Sequence, residues 1–549
     1  MKSNGERIQV GIVGGGPAGL ITAIELARRS VRCMLFEEDP TPPWFPKANA
    51  STARTMEHYR RLGFADEIRS VGLPLDYPQD VAYFTRYSAS EIARLKGYTR
   101  REALSGAHRS DSNWPTPEPV HRANQILIEP VLKRQAERWE SAIVRFGWRV
   151  LSVTPGHGVT IVAEEVRTGK TETFEFDFVA GCDGPRSMVR QAIGIKLEGV
   201  SDEERTFMGG TMFAARLKAP KFYDISAGKP AWQNWAFNSE RRSILSAIDG
   251  LGEFTFHTQL PRGMKGTRAW VEESLALTLG CEMPYEILDM AAWTAGLTLV
   301  AERFSARNVF LAGDSAHLFT PVGGLGYNTS IEDGVNLGWK LAALCQGWGG
   351  PGLLDSYEDE RRPIAKRNTE FARAMANRMG EIKVGPEHEE STPEGDRKRR
   401  ELGVRLLRHA EDEFNTPGIQ FGSWYGDSSI VSYDGESPLD NPHRYRPNAC
   451  PGARAPHLWL DEQRCLYDEF GRDFTLLQLN RSADVAPMVG AAGRLGIPLK
   501  VVTLANEEAR TLYGRDYAII RPDHHVAWRG DQIPLDPQEL LCQVTGRAS

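Results

Sequence analysis

The chain has 549 residues, 41% of them hydrophobic and 25% charged, and a formal net charge of −6. That length predicts two or three domains, and the mild acidity excludes a basic surface built for nucleic acid or an anionic membrane. No stretch approaches the roughly 20 consecutive apolar residues of a membrane span. The start is too polar for a signal peptide, and the seven cysteines are scattered without a Cys-x-x-Cys pair. The expectation is a cytoplasmic protein with neither a disulfide framework nor a metal site. His524-His525 is expected in a solvated turn rather than as a metal pair.

Residues 8–13 are a β-branched apolar run bounded by glycines and read as a buried strand. Residues 17–29 carry Leu20, Ile21, Ile24, Leu26 and Ala27 at helical spacing, with proline in the first turn. Residues 31–36 form a second buried strand ending at Glu37, so the chain opens with a βαβ unit, parallel strands and a right-handed crossover. Alternating patterns at 159–166 and 171–178 predict antiparallel strands. A second β-rich stretch, 206–258, contains runs at 212–217, 232–237 and 243–248. Between 309 and 344 the pattern returns to strand, glycine loop and helix, followed by a long apolar period from 353 to 378. Residues 381–400 are charged and punctuated by Pro and Gly, which predicts an exposed loop. After a proline-rich break at 442–456, runs at 474–479, 499–504 and 517–521 predict a small separate α/β domain.

Gly14-Gly15-Gly16-Pro17-Ala18-Gly19 is a G-x-G-x-x-G loop set between the first strand and helix. Gly14 permits the tight turn, Gly16 lets backbone approach a pyrophosphate, Gly19 allows close packing, and the helix N-terminus faces the phosphates. The carboxylate expected about 20 residues on, for ribose hydroxyls, is Glu37. The loop alone does not choose between FAD and NAD.

Two distant segments make that choice. Phe178-Val179-Ala180-Gly181-Cys182-Asp183-Gly184-Pro185-Arg186-Ser187 runs from a strand into an Asp-Gly turn. Asn308-Val309-Phe310-Leu311-Ala312-Gly313-Asp314 ends another strand in a Gly-Asp turn, followed by Thr320-Pro321-Val322-Gly323-Gly324-Leu325-Gly326-Tyr327-Asn328. With these motifs in order, and with Leu353-Leu354-Asp355-Ser356-Tyr357 beyond them, the chain resembles the class A flavoprotein hydroxylases. That family is typified by para-hydroxybenzoate, phenol and hydroxyphenylpropionate hydroxylases, and the resemblance covers about two-thirds of the chain.

The resemblance implies an α/β fold: a Rossmann-type FAD-binding domain (1–85, 115–200 and 300–380) interleaved with a β-sheet substrate domain (86–114 and 201–299). A linker (381–450) and a thioredoxin-like C-terminal domain (451–549) complete it. The last domain lacks a dithiol motif and is assigned packing, stability or a homodimer contact. Implied cofactor contacts are Gly14, Gly16, Pro17, Ala18, Gly19, Glu37, Lys47, Arg54, Gln125, Asp183, Gly184, Gly313, Asp314, Gly326, Tyr327 and Asn328. Among them Asp314 matches the aspartate that binds the flavin ribitol, and 326–328 match the loop at the flavin N1–C2=O edge. Lys47 stands where the family commonly has arginine; it keeps the charge but loses the bidentate fork. Arg186 and Arg190 could meet a phosphate.

The implied reaction consumes NADH or NADPH and O2 and hydroxylates an aromatic, phenolic small molecule through a flavin C4a-hydroperoxide. There is no second G-x-G-x-x-G, so the nicotinamide would bind transiently. Pro321, whose carbonyl lines the reacting face, and Asn49 are the implied catalytic positions. Asn49 stands where some phenol-acting relatives carry Asp or His, and an amide is not an effective general base. Met212, Trp232, Asn234, Trp235, Phe237 and Trp293, with Tyr83, are the candidates for the substrate wall. Two alternatives stand beside this one: a flavin reductase or dehydrogenase acting without oxygen insertion, and a non-catalytic binding protein on the same fold. A Trp-x-Trp-x-Ile-Pro segment, the mark of a halogenase, is absent from the sequence.

Overall fold

The computed structural model of the chain describes residues 7–106, 113–201, 203, 205, 207–226, 229–480 and 484–548. Its first layer is a six-stranded sheet in the order Ser305–Ala306, Val309–Leu311, Phe178–Gly181, Val10–Val13, Cys33–Glu37 and Ala142–Phe146. All neighbours pair in parallel except the first two. Val10–Val13 is buried along its whole length, as a strand covered on both faces must be. The Pro17–Ala27 helix lies against the Leu325–Cys345 helix, and glycines set the spacing. A Cβ on Gly334 would sit 2.7 Å from the Ala18 carbonyl oxygen, and one on Gly338 would sit 2.5 Å from Glu25 Cβ.

The second layer is a seven-stranded sheet, Glu286–Thr294, Thr211–Lys218, Glu253–Gln259, Arg242–Ala247, Gln233–Phe237, Val81–Phe84 and Glu91–Leu95. Val81–Phe84, placed by sequence at the end of the first FAD-binding segment, pairs with Gln233–Phe237 in parallel and so joins this seven-stranded sheet. Strand alternation gives this sheet two distinct faces. Cross-strand pairing places Tyr83, Trp235, Ile244, His257 and Ala214 on one face, and Asn234, Ala82, Leu245, Phe256 and Ala215 on the other.

Part of the expected loop at 381–400 is helical: Pro393–Phe414 is a 22-residue helix. Thr392 caps it by accepting from Gly395 N. Its exposed face carries Arg397–Glu394 and Arg397–Glu401 pairs at helical spacing. The polar composition thus belongs to one helix face, while Leu402, Leu406 and Ala410 are buried against the seven-stranded sheet.

The C-terminal sheet runs Leu499–Thr503, Phe474–Gln478, Tyr517–Ile520 and Val526–Gly530, one parallel pair followed by two antiparallel pairs. It docks through charges as well as apolar contacts. Arg521 donates to both Glu360 oxygens (2.6 and 2.8 Å), and Lys340 reaches Glu360 Oε2 at 2.6 Å, all fully buried. His524-His525 is not a solvated turn. Both rings are 2% exposed, His525 stacks on Tyr425 at 4.2 Å and bonds the Gly452 carbonyl, and burial pushes its pKa down to about 3.

Candidate active site

Gly14, Glu37, Asp183 and Asp314 lie at or just beyond the carboxyl ends of four adjacent parallel strands, so the fold brings these distant residues to one edge of the sheet. Open α/β sheets bind ligands at that edge. Gly14 has φ +107°, and a Cβ there would lie 2.2 Å from the Cys182 carbonyl oxygen. A Cβ on Gly19 would lie 2.0 Å from the Gly14 carbonyl oxygen, whereas one on Gly16 would meet nothing within 4 Å. Gly14 and Gly19 therefore serve the turn, and Gly16 faces open space where a phosphate can approach. The Pro17–Ala27 helix starts without a side-chain cap, leaving its first amides free for an anion. Glu37 is oriented by two backbone donors, Gly15 N at 2.6 Å and Asp39 N at 3.0 Å.

Asp314 combines two properties of a group at the floor of a cleft. Its side chain is exposed, yet so much protein surrounds it that burial raises its carboxyl pKa. Among the described residues its carboxylate has no hydrogen-bond partner. The turn that carries it is held from behind by Asp333, a residue not foreseen from sequence. Asp333 Oδ2 accepts from Gly313 N (3.1 Å) and His317 Nε2 (2.6 Å), and Oδ1 accepts from Arg361 Nε (2.8 Å). Burial alone would raise the Asp333 pKa, but His317 and Arg361 outweigh it and hold it at about 2.

The Leu325–Cys345 helix also begins without a side-chain cap, after Gly323 and Gly324 in the left-handed region. Asn328 donates to the Gly324 carbonyl at that end (2.7 Å) and staples the neighbouring loop to it: it accepts from Thr52 N (2.8 Å) and Thr55 Oγ1 (2.7 Å) and donates to Ala50 O (3.2 Å). Tyr327 is buried with its hydroxyl bonded to that of Tyr59. Pro321 is exposed, Gly326 half-buried. Asn49 lies between two anchored residues, Ala48, whose N–H donates to Gln125 Oε1 (3.2 Å), and Ala50. Gln125 thus fixes this loop, and its amide donates to Glu129. Burial raises Glu129 to about 7, although Gln125 and Lys47 pull the other way. Lys47 is exposed and close enough to influence both Glu129 and Asp314.

Two uncapped helix ends, an unpaired carboxylate, a ribose-side acid and a lysine on one sheet edge fit FAD. The helix ends match the pyrophosphate and the electron-rich flavin edge; Asp314 and Glu37 match hydroxyl donors. Other expected contacts are otherwise engaged. Arg54 spends its terminal nitrogens on Glu57 (3.0 Å) and the Asp523 carbonyl oxygen (2.6 Å), so it ties helix Ala53–Leu62 to the C-terminal domain. Asp183 caps its own helix, accepting from Ser187 Oγ (2.5 Å) and Val189 N (3.0 Å), while Gly184 provides the positive φ of that turn. Arg190 donates to the Ser315 and Pro185 carbonyls, and Arg186 is exposed.

On the substrate side, Met212 and Trp293 are cross-strand partners on the face that holds Trp235, Phe237 and Tyr83. Trp235 and Phe237 stack at 5.9 Å, and Tyr83 sits 6.0 Å from Trp235. Trp293 and His257 remain half-buried, in edge contact at 5.9 Å. Asn234 points to the opposite face, donating to Tyr223 Oη and Ala231 O, and leaves the list of wall residues. Trp232 packs at 5.6 Å on Phe414 of the Pro393–Phe414 helix. Sequence reasoning missed Arg122, His409 and Glu413 on this side. Arg122 stood three positions before the recognised Gln125, but nothing local marked the other two.

Comparison with known proteins agrees with this geometry. A family model described as FAD binding domain matches residues 7–372, and one described as aromatic-ring hydroxylase, C-terminal, matches 448–548. The FAD-dependent monooxygenase apdD of Emericella nidulans is 32% identical over 97% of this chain and 90% of its own length. Aklavinone 12-hydroxylase RdmE of Streptomyces purpurascens is 29% identical over 99% of each chain. The solved structure of chromopyrrolic acid-soaked RebC with bound 7-carboxy-K252c superposes with a TM-score of 0.89, at 34% identity and 99% coverage of both chains. No helix among the described residues is long and apolar enough to cross a membrane, and none of their His, Cys, Asp and Glu groups could hold a metal ion.

Proposed function

The chain belongs to the family of FAD-dependent aromatic-ring hydroxylases, and from that membership we propose that it hydroxylates an extended, flat aromatic compound rather than a single-ring phenol. It is an FAD-dependent monooxygenase, and NAD(P)H and O2 are its co-substrates. When bound, FAD supplies the electron transfer and oxygen activation that amino-acid side chains lack. What falls to this chain is to hold the cofactor at the sheet edge, to position the aromatic ring and to keep water from the reacting face.

The carrying observation is the sheet face itself. Tyr83, Trp235 and Phe237 form a sealed aromatic floor, and the same face continues through Ile244 and His257 to Met212 and Trp293, six strands in all. Neighbouring strands lie about 4.8 Å apart, so this surface is far longer than one benzene ring. A mostly apolar wall with a few polar groups is what a small-molecule site requires. The relatives named for aklavinone, and the RebC structure holding 7-carboxy-K252c, support the same reading.

The test is a panel running from phenol and 4-hydroxybenzoate through 1-naphthol to 1,8-dihydroxyanthraquinone. It is scored for stimulated NADPH and NADH oxidation, O2 uptake and a mass gain of one oxygen. Turnover should rise with ring count. Efficient coupled hydroxylation of single-ring phenols, with fused rings inert, would reject the extended-substrate reading. NAD(P)H oxidation with no oxygen added to any compound would favour the reductase alternative.

A further inference from the structure

Beside the Gly323 loop lies a group of buried polar atoms with nothing to bond. Arg122 carries a guanidinium with no hydrogen-bond or ion-pair partner among the described residues, and its Nε is buried. It lies 3.7 Å over the Trp232 ring, and burial pushes its pKa down to about 9 despite the nearby negative charge of Glu413. Glu413, 5% exposed, uses Oε1 to accept from Gly323 N at 3.0 Å. Its Oε2 accepts no hydrogen bond, although His409 Nε2 stands 3.2 Å away. The Tyr83 hydroxyl, on the aromatic floor and within the influence of Glu413, is also unbonded. His121, just before Arg122, pairs with Ser51, so Arg122 stands between the loop that holds Asn49 and the substrate sheet.

An unpaired charge inside a protein costs several kcal/mol, and neighbouring opposite charges would normally pair. Here no salt bridge joins them: Arg122 stacks on Trp232, and Phe414, next to Glu413 in the chain, packs against the same ring. Two such unanswered groups are satisfied by a ligand that offers an acceptor to one and a donor to the other. We propose that Arg122 and Glu413 form a two-ended clamp for an aromatic substrate carrying an anionic oxygen next to a ring hydroxyl. The anionic oxygen pairs with Arg122, and the hydroxyl donates to Glu413 Oε2. A hydroxyl hydrogen-bonded to a carboxylate pushes electron density into the ring, which electrophilic hydroxylation needs. Glu413 thereby does what the Asn49 amide cannot. This assignment rests on the aromatic-hydroxylase reading.

Three probes isolate the two ends: 3-hydroxy-2-naphthoic acid, its methyl ester, and 3-methoxy-2-naphthoic acid. Each is titrated into the FAD-loaded protein while the flavin absorbance change and stimulated NADPH oxidation are followed. The wild type should bind the free acid at least about tenfold more tightly than the ester, the worth of one charge-assisted pair. Arg122→Met should erase that preference with FAD content unchanged, and Arg122→Lys should retain part of it, because the charge stays while the fork is lost. Glu413→Gln can still accept from Gly323 N, and it should erase the preference for the hydroxy over the methoxy acid. The clamp is overturned if the wild type does not distinguish the probes or does not bind them, or if Arg122→Met empties the protein of FAD. Failure of the underlying reading looks different: FAD is bound, yet no aromatic of any kind gains oxygen.

Discussion

Replacing Asp333 with Asn tests whether the cofactor turn is held from behind. The carboxylate serves three donors, and an amide can offer its single oxygen to only one side. Either Arg361 or the pair Gly313 and His317 then faces an N–H group. Removing one partner of a buried ion pair costs about 3–5 kcal/mol; Arg361 keeps Glu332 at 3.1 Å, which reduces the expectation to about 2–3 kcal/mol. Linkage gives the same size. A carboxylate lowered from 3.8 to about 2 contributes roughly 2.4 kcal/mol. That contribution is fully present above the unfolded pKa and is lost as pH falls from about 4 through 2. Asp333→Asn should therefore melt roughly 2–4 °C below wild type at pH 7, with the gap constant down to pH 5 and closing only in stronger acid. FAD affinity, measured by flavin fluorescence quenching, should fall about tenfold as the Gly313–Asp314 turn loosens. Unchanged melting together with unchanged FAD affinity would refute the tether, and so would a gap that closes between pH 8 and 6.

Glu129 provides a pH test of opposite sign. Its pKa is raised to about 7, so its ionisation penalises the folded apoprotein increasingly from about pH 4.5 to 7. Glu129→Gln should stabilise by up to about 3 kcal/mol at pH 8 and by nothing at pH 4.5, seen as a pH-dependent difference in melting temperature. Gly14→Ala drives a Cβ into the Cys182 carbonyl at a positive φ; the purified variant should lose its flavin absorbance at 450 nm even when FAD is added in excess. Arg521→Met leaves Glu360 facing Lys340 with one cation instead of two. A loss of about 3–5 kcal/mol at the domain contact should show as earlier protease cleavage within 434–456; a wild-type digestion rate would dismiss these charges as docking determinants.

Backbone chemistry made the cofactor half of this protein legible from residues alone. The turns at Gly14, Gly184, Gly313 and Gly323–Gly324 need positive φ angles, and glycine satisfies that need within a few residues of its own position. The strand and helix patterns around these turns are likewise local, so the motifs, their order and the acids Glu37 and Asp314 could be placed without coordinates. The fates of charged side chains were not local. Arg54 belongs to the C-terminal domain because Asp523, 469 positions away, presents a carbonyl to it, and Glu57 is bound by Arg454 across 397 positions. The buried His524-His525 pair, the position of Asn234 on the far face of its sheet, and the stacking of Arg122 on Trp232 beside Phe414 follow from packing between elements distant in the chain. Hydrophobic and glycine patterns record what a segment does to itself; a buried charge is defined by what surrounds it, and only the folded chain supplies that.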